Sequence, residues 1–427
     1  MKFRQRQWLT SVVLACLAGL AWAQDSEIES SFKKLDAAEE QRLRAVLEAP
    51  VPVGSPQSVL HNHFQEKEVA ARLLGSGPRL EVVVREAMRY LPSAHLREKL
   101  GAIQIFKGEL EEGNALKQAA IATGGPFLGA VVSAAVICDL VVQNQIEGAR
   151  LALAEAEKRI KLATSIAKTN SDKNFLSRAA AGSFACLSWL EQGLGHYSEG
   201  VVAAEKAVAS GRVSLTQMEG LGLTQSINTQ RQMLDFIRVK HRAYIAAGQL
   251  HNAELALAEA MRFSSEVNLP ANYFGGILFE AGKLRFAQRE FRQSESLMRK
   301  ADAAWEGLGW PATNSSRVST VWNTAQALIG QKKWSQALQE IQKLDVTTEG
   351  GQLRKDDPFQ SYDRAVVYLG NGRYREAIPL FETAASLSRQ NFGESHFYTA
   401  QTTGLQGVAL WRSGTAENKA RALPLLK

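Results

Sequence analysis

A pattern of small residues recurs along the chain and limits what the chain can fold into. At each occurrence a bulky residue is followed three positions later by Ala, Gly or Ser, and seven positions after that usually by Ala. The middle residues lie 36, 51, 53, 41, 43 and 40 positions apart. Spacings of three and seven fall on one helical face, and such a period predicts a solenoid of stacked helix pairs. The occurrences are Leu110/Gly113/Ala120, Ile146/Ala149/Ala156, Tyr197/Gly200/Ala207, Leu250/Ala253/Ala260, Phe291/Ser294/Ala301, Trp334/Ala337/Leu344 and Tyr374/Ala377/Ala384.

The residues around this pattern favour an all-α fold. Short turn sequences such as Ala247-Gly248-Gln249 and Asn371-Gly372-Arg373 stand just before the bulky residue, where Gly supplies a positive φ. The two long spacings allow either longer helices or inserted loops. Strand signals are nearly absent, and the apolar run Phe127 to Cys138 stops at Asp139, so we interpret it as a buried core helix.

The N-terminus has the layout of a secretory signal peptide. Three basic residues within the first six positions precede an apolar stretch from Trp8 to Leu20 and the small-residue site Ala21-Trp22-Ala23. The sequence therefore predicts export across the inner membrane and a periplasmic or secreted bacterial protein. A minor alternative treats Val13-Leu14-Ala15-Cys16 as a lipid-attachment box, which would anchor the chain at Cys16.

The domain boundaries follow from these features. We predict a signal peptide over 1–23, an N-terminal helix with a Pro-rich linker over 24–57, and the repeat solenoid over 58–427. Val59 to Leu74 and Leu80 to Leu91 predict a degenerate first helix pair. The last repeat is expected to be incomplete, because Ala422 aligns with Ala377 and the sequence stops soon afterwards. An exposed, half-built face there would permit self-association.

Charge and cysteine content exclude some classes of function. Without the three cationic residues of the signal the formal charge of +7 becomes +4, and no basic run tracks a phosphate backbone, so we expect no nucleic-acid partner. Cys138 and Cys186 lie in apolar helical stretches, which favours buried free thiols over a disulfide. His61-x-His63 lacks further ligands. We expect no catalytic residues, no metal, no cofactor and no transmembrane segment in the mature chain.

The repeat resembles the tetratricopeptide repeat. Asn371 to Ala384 matches the turn and second helix of that family, and Ala246 to Ala253 and Trp334 to Ala337 match in part. Ile137 and Leu187 depart from it, since smaller or different residues are usual there. The resemblance covers Ser93 to Lys427 and implies a right-handed superhelical solenoid of helix-turn-helix repeats.

The resemblance also implies a peptide-binding groove. In this family the groove is lined by first-helix positions roughly 8, 11, 12 and 15 residues before the small residue. An extended protein or peptide segment with apolar side chains and some acidic character would suit such a groove. Alternatively, the aromatic members pack between helices. The candidate residues are Arg238, Arg242, Phe279, Lys283, Phe286, Trp322, Gln326, Tyr362 and Val366.

The combination of export signal and repeats resembles the N-terminal part of bacterial exported proteins that carry a caspase-like CHAT domain. That resemblance implies a regulatory arm for a peptidase, whose catalytic dyad corresponds to no residue of this sequence. Our leading hypothesis is a non-catalytic protein-binding scaffold. The alternatives are the peptidase arm and an adaptor for secretion or envelope assembly.

Overall fold

The computed structural model describes residues 35–426, except 75–76, 108, 143–144, 221–226, 268, 270–272 and 349–357. The predicted signal peptide lies outside the described residues. Within them the regular structure is helical, with no β-strand. A 3-10 turn over Leu423–Leu425 follows the last α-helix. The α-helices are α1 (Ala37–Glu48), α2 (Gln57–Leu73), α3 (Gly77–Tyr90), α4 (Ala94–Lys107), α5 (Leu110–Thr123), α6 (Gly125–Val142), α7 (Ile146–Ile166), α8 (Asn170–Gly193), α9 (Tyr197–Gly220), α10 (Ile227–Ala246), α11 (Leu250–Glu266), α12 (Phe274–Ala287), α13 (Phe291–Gly307), α14 (Ser315–Gly330), α15 (Trp334–Thr348), α16 (Pro358–Gly370), α17 (Tyr374–Phe392), α18 (Phe397–Ser413) and α19 (Ala416–Ala422).

The predicted repeat coincides with the helix boundaries. The bulky residue of every occurrence is the first residue of an odd-numbered helix, from Leu110 in α5 to Tyr374 in α17. The small residue and the residue seven positions later are buried in every occurrence. We call the even-numbered helices from α4 to α18 first helices and their odd-numbered successors second helices. The prediction of an all-α repeat solenoid is confirmed.

The bulky residue at the start of a second helix packs against a glycine near the end of a first helix. A Cβ atom on Gly330 would lie 2.6 Å from the ring of Phe291, which starts α13. A Cβ atom on Gly370 would lie 2.2 Å from the indole of Trp334, which starts α15. Neighbouring repeats therefore interlock through an aromatic ring seated on a bare backbone, and glycine is required there by close approach.

Left-handed residues form the turns between first and second helices. Gly195, Gly248 and Gly372 have φ values of +82°, +70° and +74°, as the turn sequences predict. Arg289 and Lys332 occupy the equivalent place with φ values of 64° and 61°. These five turns thus share one geometry. In two of them the left-handed residue is Arg or Lys, whose side chain disfavours that conformation.

The two long repeat spacings come from long helices. Helices α7, α8 and α9 contain 21, 24 and 24 residues. Thr169 and Asp172 cap α8 reciprocally, because the Thr169 hydroxyl accepts from the Asp172 amide and the Asp172 carboxylate accepts from the Thr169 amide. A hydrogen bond joins the extended parts of α8 and α9: the Asn174 side-chain amide donates to the Ser214 carbonyl at 2.8 Å. Longer helices rather than inserted loops account for the spacing.

The two cysteines form a disulfide, so the preference for free thiols was wrong. Cys138 on α6 and Cys186 on α8 are bonded, with Cα atoms 4.7 Å apart. Cys186 is buried and Cys138 is partly buried, and packing within apolar helices does not keep the two sulfur atoms apart. These two first helices pack against each other, and the cysteines share the contact. A separation of 48 residues hid that proximity in the sequence.

The apolar helix α6 is part of the core, as predicted. Val132, Ala134 and Ile137 are buried within the helix stack. Among the described residues, no helix combines the length and apolarity that a membrane crossing requires.

The first helices form the inner row of the solenoid. Each first helix from α4 to α12 contacts the next first helix, as do α12 with α14 and α16 with α18. Successive second helices make no contact of similar extent in the described part of the chain. Because the more closely spaced row lies inside a curved stack, the first helices line the concave surface.

Candidate ligand-binding groove

All nine predicted groove residues lie on first helices, and therefore on the inner row. Arg238 and Arg242 are on α10, three are on α12, two on α14 and two on α16. The structure brings the first five into one group around α10 and α12, and it places the last four in a second group further along.

The centre of the first group is Glu280, a residue that the sequence analysis missed. Its carboxylate, with 0% side-chain exposure, accepts hydrogen bonds from Arg238 Nε at 3.2 Å and from Arg242 Nε at 2.8 Å. Burial alone would raise the pKa of Glu280, but the charges of Arg242 and Arg238 outweigh burial and hold that pKa well below its usual value. Glu280 interrupts an otherwise apolar stretch of α12, and that interruption was the available sequence signal.

Lys283 differs from the two arginines because it has no carboxylate within ion-pair distance in the described part of the chain. Its Nζ atom lies 5.9 Å from the ring centroid of Phe279, and the guanidinium of Arg242 lies at the same distance from that ring. Burial, followed by the charge of Arg242, lowers the pKa of Lys283 to about 8. Lys283 as a whole residue is half-buried.

A buried histidine fixes the helices beneath this group. His241 Nδ1 lies 2.8 Å from the Ala253 carbonyl and Nε2 lies 3.1 Å from the Glu280 carbonyl, which joins α10 to α11 and α12. Burial lowers the pKa of His241, and the charge of Glu280 and the hydrogen bonds to the two carbonyls oppose that fall. His241 therefore fixes the backbone of Glu280, while the Glu280 carboxylate forms ion pairs with Arg238 and Arg242.

The aromatic candidates pack between helices to differing extents. Phe279 and Trp322 are buried, with 8% and 9% of their surface exposed. Phe286 is half-buried and contacts Phe291 edge-on at 5.4 Å. The indole Nε1 of Trp322 is buried without an acceptor among the described residues. The alternative of packing between helices thus describes Phe279 and Trp322, which present only an edge to the groove.

The second group links the later first helices in series. Gln326 on α14 donates to the Asp363 carboxylate on α16 at 3.0 Å. Gln401 on α18 donates to the hydroxyl of Tyr362 at 2.7 Å. Burial and the nearby Asp363 charge raise the pKa of Tyr362 to about 12, so it remains a neutral phenol. Val366 packs into the apolar core of the same repeats. In this part of the inner row the polar side chains of successive first helices hydrogen-bond to one another.

A third charged region lies towards the N-terminus and was also missed by the sequence analysis. On α2, Glu68 pairs with Arg72 at 2.9 Å and with Lys99 of α4 at 2.6 Å. Burial raises the pKa of Tyr273, at the start of α12, while the charges of Arg231 and Arg72 oppose the rise.

The residues considered for catalysis do not assemble. Cys138 and Cys186 are bonded to each other. In the described ranges, no three His, Cys, Asp or Glu residues are grouped to hold a metal ion.

The comparisons with known proteins agree on the fold. A Rap protein complexed with Competence and Sporulation Factor matches 91% of this chain and 97% of its own, with a TM-score of 0.53 and 11% identity. Putative kinesin light chain TPR-like repeats from Podosopora anserina match 49% of this chain and 94% of their own, with a TM-score of 0.33 and 19% identity. Yeast Tom70 matches 90% of this chain and 84% of its own, with a TM-score of 0.30 and 11% identity. A scan against protein-family models and a search of curated proteins find no match. The likeness to the Rap structure shows the fold, an all-α repeat solenoid.

Proposed function

We propose that this protein is an exported, non-catalytic scaffold that binds a protein or peptide segment along the first helices α10 to α16. The observation that carries the proposal is the contrast around Phe279: two arginines are satisfied by Glu280, whereas Lys283 is half-buried on the inner row with no carboxylate partner in the described part of the chain. A desolvated, unpaired cation beside an aromatic ring suits an acidic side chain in an otherwise apolar segment.

The similar Rap structure supports a binding role, since it is a complex with Competence and Sporulation Factor. Solenoids also commonly use their concave surface to bind a peptide or a protein. In this groove Lys283 is the recognition residue. Arg238 and Arg242 shape the surface, because using them for a ligand would break their bonds to buried Glu280.

Export is supported by the signal layout of residues 1–23 and by the Cys138–Cys186 disulfide, since disulfides persist mainly in oxidising compartments. N-terminal sequencing of the mature protein tests this part of the proposal. A chain that begins at Gln24 is expected, whereas a lipid-modified Cys16 would favour membrane anchoring, and an intact Met1 would contradict export.

The binding test is a crosslinking pulldown from the source organism with two matched variants. Lys283→Gln removes the unpaired cation of the inner row. Lys206→Gln removes a lysine that also covers an aromatic ring, at 5.7 Å from Phe184, but belongs to the second helix α9. We expect Lys283→Gln to lose a partner that Lys206→Gln retains. Equal capture by both variants would contradict the groove assignment.

The narrower hypotheses, a regulatory arm for a caspase-like CHAT peptidase and an envelope-assembly adaptor, rest on sequence resemblance. Sequencing the transcript beyond the Lys427 codon tests the peptidase arm, which requires a continuing frame with a His/Cys-bearing domain. Self-association through α18 and α19 stays a prediction, and sedimentation of the purified chain measures it.

A further inference from the structure

A surface cavity of about 400 Å³ lies between α8 and α9. Its lining is mostly apolar and includes Phe184 and Leu187 of α8 together with Val202 and Ala203 of α9. Ala203 is buried, whereas Val202 beside it is 49% exposed. Apolar surface at this cavity is therefore in contact with water, and covering it with a second apolar surface is favourable.

Two oppositely charged residues of α9 also line this cavity. Glu199 and Lys206 are both exposed, and neither forms an ion pair within the described part of the chain. The Nζ atom of Lys206 instead lies 5.7 Å from the ring centroid of Phe184. Because the two residues are seven positions apart, they stand on one face of α9, about 10.5 Å apart along the helix axis. Val202 lies between them on this face.

This order of charges complements itself. When two copies of α9 pack antiparallel about a two-fold axis centred between Val202 and Ala203, each Glu199 faces Lys206 of the second copy. Each Val202 then faces Ala203 of the second copy, over the apolar cavity. A parallel arrangement would instead place Glu199 opposite Glu199 and Lys206 opposite Lys206. The charges therefore favour the antiparallel, two-fold contact, in which both partners use the same surface.

The other charged residue on this stretch of α9 is compatible with that contact. Glu205 would face Gly200 of the second copy, which has no side chain. The Glu205 carboxylate already accepts a hydrogen bond from the Tyr244 hydroxyl at 2.6 Å. From Tyr197 to Val208, no two like charges would directly face each other across the axis.

We propose that α9 is a homodimerisation surface, on which a second copy of this chain packs antiparallel through Val202 and two reciprocal pairs of Glu199 with Lys206. The apolar contact supplies the attraction, and the ion pairs fix direction and register. A contact centred on one helix pair is smaller than the standard interface of about 1,600 Å², so the dimer is weak and reversible. This surface includes no residue of the groove around Lys283, so the inference does not rest on the function proposed for that groove.

Sedimentation velocity of the purified mature chain, from micromolar to millimolar concentration, tests the proposal by charge reversal. Glu199→Lys and Lys206→Glu each place like charges at both ends of the contact, and each should weaken dimerisation by about tenfold or more. The double variant Glu199→Lys/Lys206→Glu restores opposite charges and should dimerise like the wild type. An equimolar mixture of the two single variants should form a heterodimer, because one carries two lysines and the other two glutamates at these positions.

The matched control is Lys419→Glu. Lys419 also lies over an aromatic ring, with its Nζ atom 5.8 Å from the ring of Trp411, but it belongs to α19. This change should leave the α9 dimer unaltered. A dimer lost only with Lys419→Glu would assign self-association to the C-terminal helices and overturn the inference.

Three further results would overturn the inference. The first is a wild-type chain that stays monomeric at millimolar concentration. The second is a dimer that neither single reversal weakens. The third is a double variant that remains monomeric although circular dichroism shows it to be folded. Both substituted residues are exposed, so the variants are expected to fold.

Discussion

Replacing Glu280 with glutamine is expected to be among the most destabilising conservative changes in this chain. The substitution keeps the side-chain volume but removes the negative charge that Arg238 and Arg242 share at 0% exposure. Removing one member of a buried ion pair leaves the other charge uncompensated and typically costs about 3–5 kcal/mol. Here Arg242 loses its carboxylate partner, while Arg238 keeps Asp235 at 2.9 Å, so we expect a cost within that range.

The pH dependence gives the same prediction a second readout. Because the pKa of Glu280 is depressed in the folded state, its contribution is fully present above the unfolded pKa near 4.5 and is lost as pH falls through the lower folded value. The difference in unfolding free energy between wild type and Glu280→Gln should therefore be constant near neutral pH. It should narrow steadily as the pH falls below about 4.5.

The assay is urea denaturation followed by circular dichroism, with hydrogen exchange to locate the loss in α10 and α12. Glu394→Gln is the matched control, because Glu394 pairs with Arg389 at 2.7 Å but is 75% exposed, and exposed pairs contribute about 0–1 kcal/mol. A cost for Glu280→Gln no larger than that of the control would refute the reasoning. The reasoning would also be refuted if the difference in unfolding free energy between wild type and Glu280→Gln did not narrow at acidic pH.

Four further changes test the architecture. Lys332→Gly should stabilise the fold by about 0.5–1 kcal/mol, because glycine adopts the left-handed backbone conformation without strain. Gly248→Ala should destabilise the fold by about 1 kcal/mol for the opposite reason. Urea midpoints measure both changes, and stability changes of the same sign would contradict the turn geometry. Reduction of Cys138–Cys186, which closes a 48-residue separation, should cost about 4 kcal/mol by the chain-entropy model, and an unchanged melting temperature after reduction would contradict it. Gly370→Ala should cost about 1–3 kcal/mol because its Cβ would meet the indole that starts α15, and a neutral result would mean that the helices separate freely.

The sequence predicted the helix boundaries well because each repeat carries its own boundary signals. A bulky residue, a small residue three positions later and a left-handed turn before them are local features, and Tyr374 with Ala377 illustrates how they fix the start of α17. The placement of the candidate residues on first helices was predictable for the same reason, since counting back from Ala377 to Tyr362 stays within one repeat. The disulfide joins two different repeats, and one-dimensional patterns do not report which cysteines face each other.

What the sequence could not supply is which charges on the inner row are already satisfied. Arg238, Arg242 and Lys283 look equivalent as basic first-helix residues, yet Glu280 on α12 pairs with the two arginines of α10 and not with Lys283 of its own helix. A ligand that recruited either arginine would have to compensate for the unpaired buried carboxylate, at a cost of several kcal/mol. A ligand that binds Lys283 breaks no ion pair. Recognition by this solenoid should therefore follow the unpaired charges, and substitutions at Arg238 or Arg242 should weaken binding only by disturbing the fold.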